Sequence, residues 1–202
     1  MRYASIRSMD ISNGEGVGVS LFVQGCHFHC KNCFNKDTWD FNGGKEWTPE
    51  IEDKFIELAS RPYIKRISLL GGECLADENL DGVLNLVNRI RLLFPEKTIW
   101  LYTGYTWEET MSNESALQHK IRLLEEVNKN RDEIIIYNQN KQHKPDVFEL
   151  RQEIILQCDV LVDGRYIDSQ KDITLKWRGS SNQRVIDVQE SFVQDRVVLY
   201  CD

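Results

Sequence analysis

Three thiols fall close together in Gly25-Cys26-His27-Phe28-His29-Cys30-Lys31-Asn32-Cys33-Phe34-Asn35, spaced C-x3-C-x2-C. One loop of that length can wrap a single metal centre. A closed structural zinc site takes four ligands, whereas a cubane iron–sulfur cluster held by three cysteines keeps one iron open to a substrate. Zinc completed by His27 or His29 is the alternative reading of the same spacing. A disulfide is the weaker one. The N-terminus carries no signal-peptide core, which leads us to expect a cytoplasmic chain, and clustered thiols in a reducing compartment are metal ligands or catalytic groups.

Composition narrows the partners. The chain has 202 residues, with 25 Lys+Arg against 32 Asp+Glu, so its formal net charge is −7. Sequence-independent binding to DNA or RNA draws on an excess of cations, so nucleic acid is not expected. Hydrophobic residues make up 41% and there are only four prolines, the profile of a folded globular chain. No apolar run is long enough to cross a bilayer.

The elements that must position the cysteines can be read from period and punctuation. Val17–Gln24 is β-branched and aromatic, stops at Gly25, and predicts a strand that feeds the cysteine loop. Thr48 with Pro49 opens a helix carrying Ile51, Phe55, Leu58 and Ala59. Ile67–Leu70 predicts a second strand ending at Gly71-Gly72-Glu73. The following helix has Leu80, Val83, Leu84, Val87, Ile90 and Phe94 as its apolar stripe and closes at Pro95. Thr98–Thr103 predicts a third strand, ending at Gly104. The segment from about 107 to 157 reads as a helical and polar insertion, with Leu117, Ile121 and Leu124 as its clearest stripe. Asp159–Arg165 is a fourth strand and turn, followed by a polar loop through Arg184 and a last apolar run, Val197–Tyr200.

Strands alternating with helices predict an α/β fold with a mostly parallel sheet in a single domain, 1–202. Right-handed crossovers then bring every strand's C-terminal end to one edge. The cysteine loop, Gly71-Gly72-Glu73, Thr103-Gly104-Tyr105 and Asp163-Gly164-Arg165 should therefore face one mouth, where such sheets bind ligands. Cys74 and Cys158 read as small buried hydrophobes, and His27 and His29 as polar loop residues if one iron is left open.

The three-cysteine loop resembles that of the radical S-adenosylmethionine superfamily, and Gly71-Gly72-Glu73 is similar to the superfamily's glycine-rich motif after the second strand. The resemblance implies a partial (βα) barrel and a [4Fe-4S] cluster on Cys26, Cys30 and Cys33. It also implies S-adenosylmethionine chelated to the fourth iron. The chain departs from much of the superfamily in carrying Asn32 before the last cysteine and Phe34 after it. Asn32, Cys33 and Phe34 are the expected contacts to the adenine, and Gly71, Gly72 and Glu73 the expected contacts to the methionine part. Thr103 and Asp163 are candidates to line the remaining side.

Within the superfamily the chain looks like the activases of the anaerobic ribonucleoside-triphosphate reductase. That narrower resemblance rests on Asp10-Ile11-Ser12-Asn13-Gly14-Glu15-Gly16, Gly25-Cys26 through Asn35-Lys36-Asp37-Thr38-Trp39, Trp100-Leu101-Tyr102-Thr103-Gly104-Tyr105 and Val160–Tyr166. Trp177-Arg178-Gly179-Ser180-Ser181-Asn182-Gln183 completes it. It implies a 5′-deoxyadenosyl radical, formed with an electron from flavodoxin or a similar donor, that takes a hydrogen from one backbone glycine of the reductase. The alternatives are an activase of a formate-lyase type of glycyl-radical enzyme, or a non-catalytic zinc-stabilised binding module. The stretch from about Ser112 to Arg151 is longer than the family pattern requires.

Overall fold

A strand covered on both faces is rich in apolar residues, and four such strands lie side by side at the centre of the sheet. The computed structural model describes residues 1–111 and 145–201. Its strands are β1 (Arg2–Asp10), β2 (Gly18–Val23), β3 (Lys45–Glu46), β4 (Arg66–Gly71), β5 (Thr98–Tyr102), β6 (Val160–Asp163) and β7 (Arg184–Asp187). The helices are α1 (Pro49–Ser60), α2 (Leu80–Leu93), α3 (Trp107–Thr110), α4 (Val147–Leu156) and α5 (Val188–Gln194). One mixed sheet runs in the order β3-β1-β2-β4-β5-β6-β7. The block β2, β4, β5, β6 is parallel. β1, β3 and β7 join through antiparallel pairings.

The four strands that the apolar runs predict are those of the parallel block. β1 was not expected, because Arg2–Asp10 alternates only weakly and is half-covered, as suits a strand near an edge. The loop thought to run on to Arg184 ends in β7. The apolar run Val197–Tyr200 forms no strand beyond one bridge from Leu199 to Ile186. The stripe Leu117, Ile121, Leu124 lies outside the described residues.

Alternation sorts side chains between the sheet's two faces. Val19, Leu21, Ile67, Leu69, Ile99, Leu101 and Leu161 enter the main core with Phe55 of α1, Val83, Leu86, Val87 and Ile90 of α2, and Ile154 and Ile155 of α4. Trp100, Val160, Val162 and Val185 form a second cluster on the opposite face, with Tyr102, Trp177 and Cys201 against it. That second face also carries a polar layer. Arg66 is wholly buried and donates to the Asp10 backbone carbonyl at 2.6 Å, to the Asn13 carbonyl and to the Ser68 hydroxyl. The Asp10 carboxylate accepts from the Ser12 amide at 2.7 Å and from Asn13 Nδ2 at 2.5 Å. Residues 10–13 are thereby folded onto the sheet's open face. Among the described residues no helix is long and apolar enough to cross a membrane.

Candidate functional site

The cysteine loop leaves β2 through a tight turn. Gly25 has φ +96°, and a Cβ there would stand 2.1 Å from the Phe41 ring, so only glycine fits. The Gly25 amide donates to the Thr38 carbonyl at 2.8 Å and the Cys26 amide to the Trp39 carbonyl at 3.0 Å, which closes the loop on itself. Gln24, buried beneath it, donates to the Asp40 carbonyl at 2.8 Å. Within the loop the Cys33 amide donates to the Cys30 carbonyl at 3.1 Å, and the Asn35 amide to Cys33 Sγ at 3.3 Å.

The glycine-rich turn after β4 is pressed against this loop. A Cβ on Gly72 would sit 2.3 Å from the Gly25 carbonyl oxygen, and one on Gly71, at φ +112°, 2.8 Å from Phe22 Cα. The Glu73 amide donates to the Gly25 carbonyl at 2.7 Å. Here the glycines permit close approach of two backbones. Glu73 is only 2% exposed, and its carboxylate accepts from the Thr103 hydroxyl at 2.7 Å and from the Leu75 and Gly104 amides at 2.8 Å each. Burial pushes this carboxyl up, against the hydrogen bonds that hold it down. Glu73 thus ties the ends of β4 and β5 together. Arg151 of α4 adds to the tie, donating to the Leu75 carbonyl at 2.9 Å and to the Tyr105 hydroxyl at 3.0 Å.

These loops surround one cavity of about 580 Å³. Cys26, Cys30, Cys33, Phe34, Gly71, Gly72, Glu73 and Thr103 all line it, with Gly104, Gly164 and Arg165 from the other two turns. The predicted single mouth therefore exists. Asn32 and Asp163 are placed outside it. Asn32, at φ +57°, is exposed and donates to Asp168 at 2.8 Å. Asp163 is buried, accepts from the Trp107 amide at 2.8 Å and from Arg184 Nη2 at 2.5 Å, and lines a neighbouring hollow.

Sequence reasoning missed other residues of the wall. Arg7, Phe22 and Tyr102 line the cavity, as do Ser12, Asn13, Trp177 and Arg178 of the loop motifs. The alternation of β5 held the signal for Tyr102, which falls on the same face as Trp100. Arg7 comes from β1, which had no signal. Three donors among the lining residues, Trp39 Nε1, Tyr102 Oη and Arg178 Nε, are buried without a hydrogen-bond partner. Buried donors are rarely left so, and a bound group bearing acceptors would complete them.

The thiols stand half-buried. Burial, with the nearby Glu73 and Cys30, pushes Cys26 up to about 11; burial and the neighbouring Cys33 raise Cys30. Ligation would deprotonate both. The histidines of the loop face elsewhere. His27 Nε2 is 3.0 Å from Glu78 and its ring lies on Phe41, while His29 lies on Trp39 with centroids 4.7 Å apart. Among the described residues no three His, Cys, Asp or Glu side chains are gathered to hold a single metal ion. Cys74 and Cys158 are fully buried in the main core, as expected of small hydrophobes.

Comparison with known proteins decides the family. The anaerobic ribonucleoside-triphosphate reductase-activating protein of Vibrio cholerae is 36% identical over 185 residues, which are 91% of this chain and 96% of that protein. The chain belongs to this family. Activating proteins of the same name from Escherichia coli strain K12 (36% identical over 92% of this chain and 97% of that protein) and Enterobacteria phage T4 (32%, over 92% and 93%) are similar along the same length. Residues 12–128 and 116–186 match the family described as a 4Fe-4S single cluster domain, and the first span contains the cysteine loop. An iron–sulfur cluster is the metal group of the family. The donor set here fits one, with three thiols lining one cavity and the two loop histidines engaged with Glu78, Phe41 and Trp39.

Proposed function

We propose that Cys26, Cys30 and Cys33 hold a [4Fe-4S] cluster beside S-adenosylmethionine, and that the chain activates the anaerobic ribonucleoside-triphosphate reductase by forming a glycyl radical on it. The observation that carries this reading is the convergence of all four post-strand loops, three thiols among them, on one cavity in a chain whose relatives bear that activity in their names. When bound, the two groups supply the reductive cleavage of the C5′–S bond and the hydrogen abstraction, given an electron from flavodoxin or a similar donor.

The chain's own residues bind, orient and shield. Gly71, Gly72, Cys33 and Phe34 wall the place of the sulfonium compound, with Asn32 setting the backbone ahead of Cys33. Glu73 and Thr103 hold two of the walls at a fixed separation, so a ligand between them meets a ready-made surface. Tyr102, Trp39 and Arg178 offer the donors that its oxygen and nitrogen acceptors complete. Asp163 acts from behind, fixing the turn that carries Gly164 and Arg165 through its bonds to Arg184 and the Trp107 amide. Phe22, Leu70 and Val162 give the cavity an apolar side that keeps water from a reactive primary radical. We take the sheet to curve into the partial (βα) barrel of this superfamily, the whole chain to act as one domain with an insertion at about 107–157, and its place of work to be the cytoplasm.

The test is anaerobic reconstitution with iron and sulfide, then S-adenosylmethionine and dithionite. The expected products are 5′-deoxyadenosine and methionine, and with the reductase present a glycyl-radical doublet by electron paramagnetic resonance. A protein that carries its cluster and yields neither overturns the reading.

A further inference from the structure

The loop after β6 is a built arm, and its tip stands at the mouth of the cavity. Lys171 pairs antiparallel with Ser180, the Asp172 amide donates to the Gly179 carbonyl at 3.2 Å, and the Ser181 amide to the Gln170 carbonyl at 2.9 Å. The base is pinned by amides. Gln183 Oε1 accepts from the Gly179 amide at 2.9 Å while its Nε2 donates to the Gly164 carbonyl at 2.9 Å, and Asn182 Nδ2 donates to the Arg165 carbonyl at 2.8 Å. Trp177 wedges against Trp100, with ring centroids 4.9 Å apart. At the tip Asp172 turns back onto the Thr174 amide and hydroxyl at 2.8 and 2.6 Å. Ile173 is thereby left 85% exposed while still lining the cavity.

A second apolar lip comes from the cysteine loop, beside the arm. Phe34 is 63% exposed, lines the same cavity, packs on Tyr166 at 5.2 Å and lies under Lys171 Nζ at 5.3 Å. A Cβ on Gly179 would come within 2.9 Å of the Phe34 ring, so arm and cysteine loop are in contact at the base. Three cations stand over aromatic rings near the cavity: Arg7 over Phe22 and 3.8 Å from Asp10, Arg165 over Phe28 and 3.9 Å from Glu109, and Lys171 over the exposed Phe34.

We propose that Ile173 on the arm Gln170–Ser181 and Phe34 on the cysteine loop are the two apolar lips of a docking groove for an extended segment of the reductase. That segment is apolar where it crosses between them and acidic alongside. The inference rests on the function proposed above, which supplies the occupant. A hydrogen leaves a backbone carbon only within van der Waals reach of the radical, so the reductase must feed chain over this rim and into the cavity. Two large apolar side chains exposed at the rim are covered when it does. The cations match acidic flanks and steer their approach. The rigid base explains why so many polar side chains hold the arm, because a docking lip must keep its distance from the radical.

The test measures binding apart from chemistry. The apo chain and purified reductase are titrated against each other anaerobically, with wild type, Ile173→Asp, Ile173→Leu and Lys171→Glu. Ile173→Asp should weaken association at least tenfold, Ile173→Leu should restore it, and Lys171→Glu should weaken it less and reduce its salt dependence. With reconstituted protein, the glycyl-radical yield of Ile173→Asp should fall at limiting reductase while cluster content and uncoupled 5′-deoxyadenosine formation stay at wild-type levels. Wild-type affinity in Ile173→Asp overturns the docking proposal. Weakened binding of the electron donor in place of the reductase, or a change in self-association alone, also overturns it. Absence of 5′-deoxyadenosine from the wild type strikes instead at the underlying function.

Discussion

At the scale of single residues, the cysteines and the glycines beside them do different work. Cys30→Ala leaves two thiols, too few to hold a cubane, and should lose bound iron and sulfide together with the broad visible absorption. Full iron content in that variant would contradict the assignment of the loop. Gly72→Ala places a methyl 2.3 Å from a backbone oxygen that a flexible side chain cannot relieve. It should cost about 1–3 kcal/mol and lower the unfolding midpoint even without metal. The cysteines were legible because thiols at that spacing have few other uses. The glycines were legible as a turn, but their purpose was not, since the atom each one admits comes from a loop far away in sequence. Glu73 illustrates the same limit. A carboxylate after a strand suggests a ligand contact, and only the fold reveals that its two oxygens accept from Thr103, Leu75 and Gly104.

At the scale of elements, the parallel block could be read from its continuous apolar runs, while the strands around it could not. β1 spends its residues on a half-covered position, and β7 on four residues, Arg184–Asp187, that carry two charges. Beyond its ladder with β2, the end of β1 is held to the block by the buried layer around Arg66, whose partners include the Asp10 and Asn13 carbonyls, which no pattern announces. Asp10 in that layer gives a pH dependence. Burial pushes its carboxyl up, yet the hydrogen bonds from Asn13 and Ser12 help to hold it below its ordinary value of 3.8. The unfolded chain therefore takes up this proton first. The stabilisation is complete above 3.8 and drains away as pH falls through the lower folded value. Asp10→Asn should flatten that acid limb in unfolding midpoints measured across pH 2 to about 6; an unchanged limb would remove Asp10 as its source.

At the scale of the whole molecule, the mouth is closed by bonds from every direction. β2 meets β4 through Gly25 and Glu73, β4 meets β5 through Glu73 and Thr103, and α4 reaches both through Arg151. Each of these ties runs between protein atoms. The polypeptide is therefore expected to set the shape of its own cradle before any inorganic sulfide arrives, so that maturation is a loading step. Far-ultraviolet circular dichroism of protein produced under iron starvation should superimpose on that of the loaded form. A pool of metal-free chains could then stand ready in air and be charged when oxygen disappears.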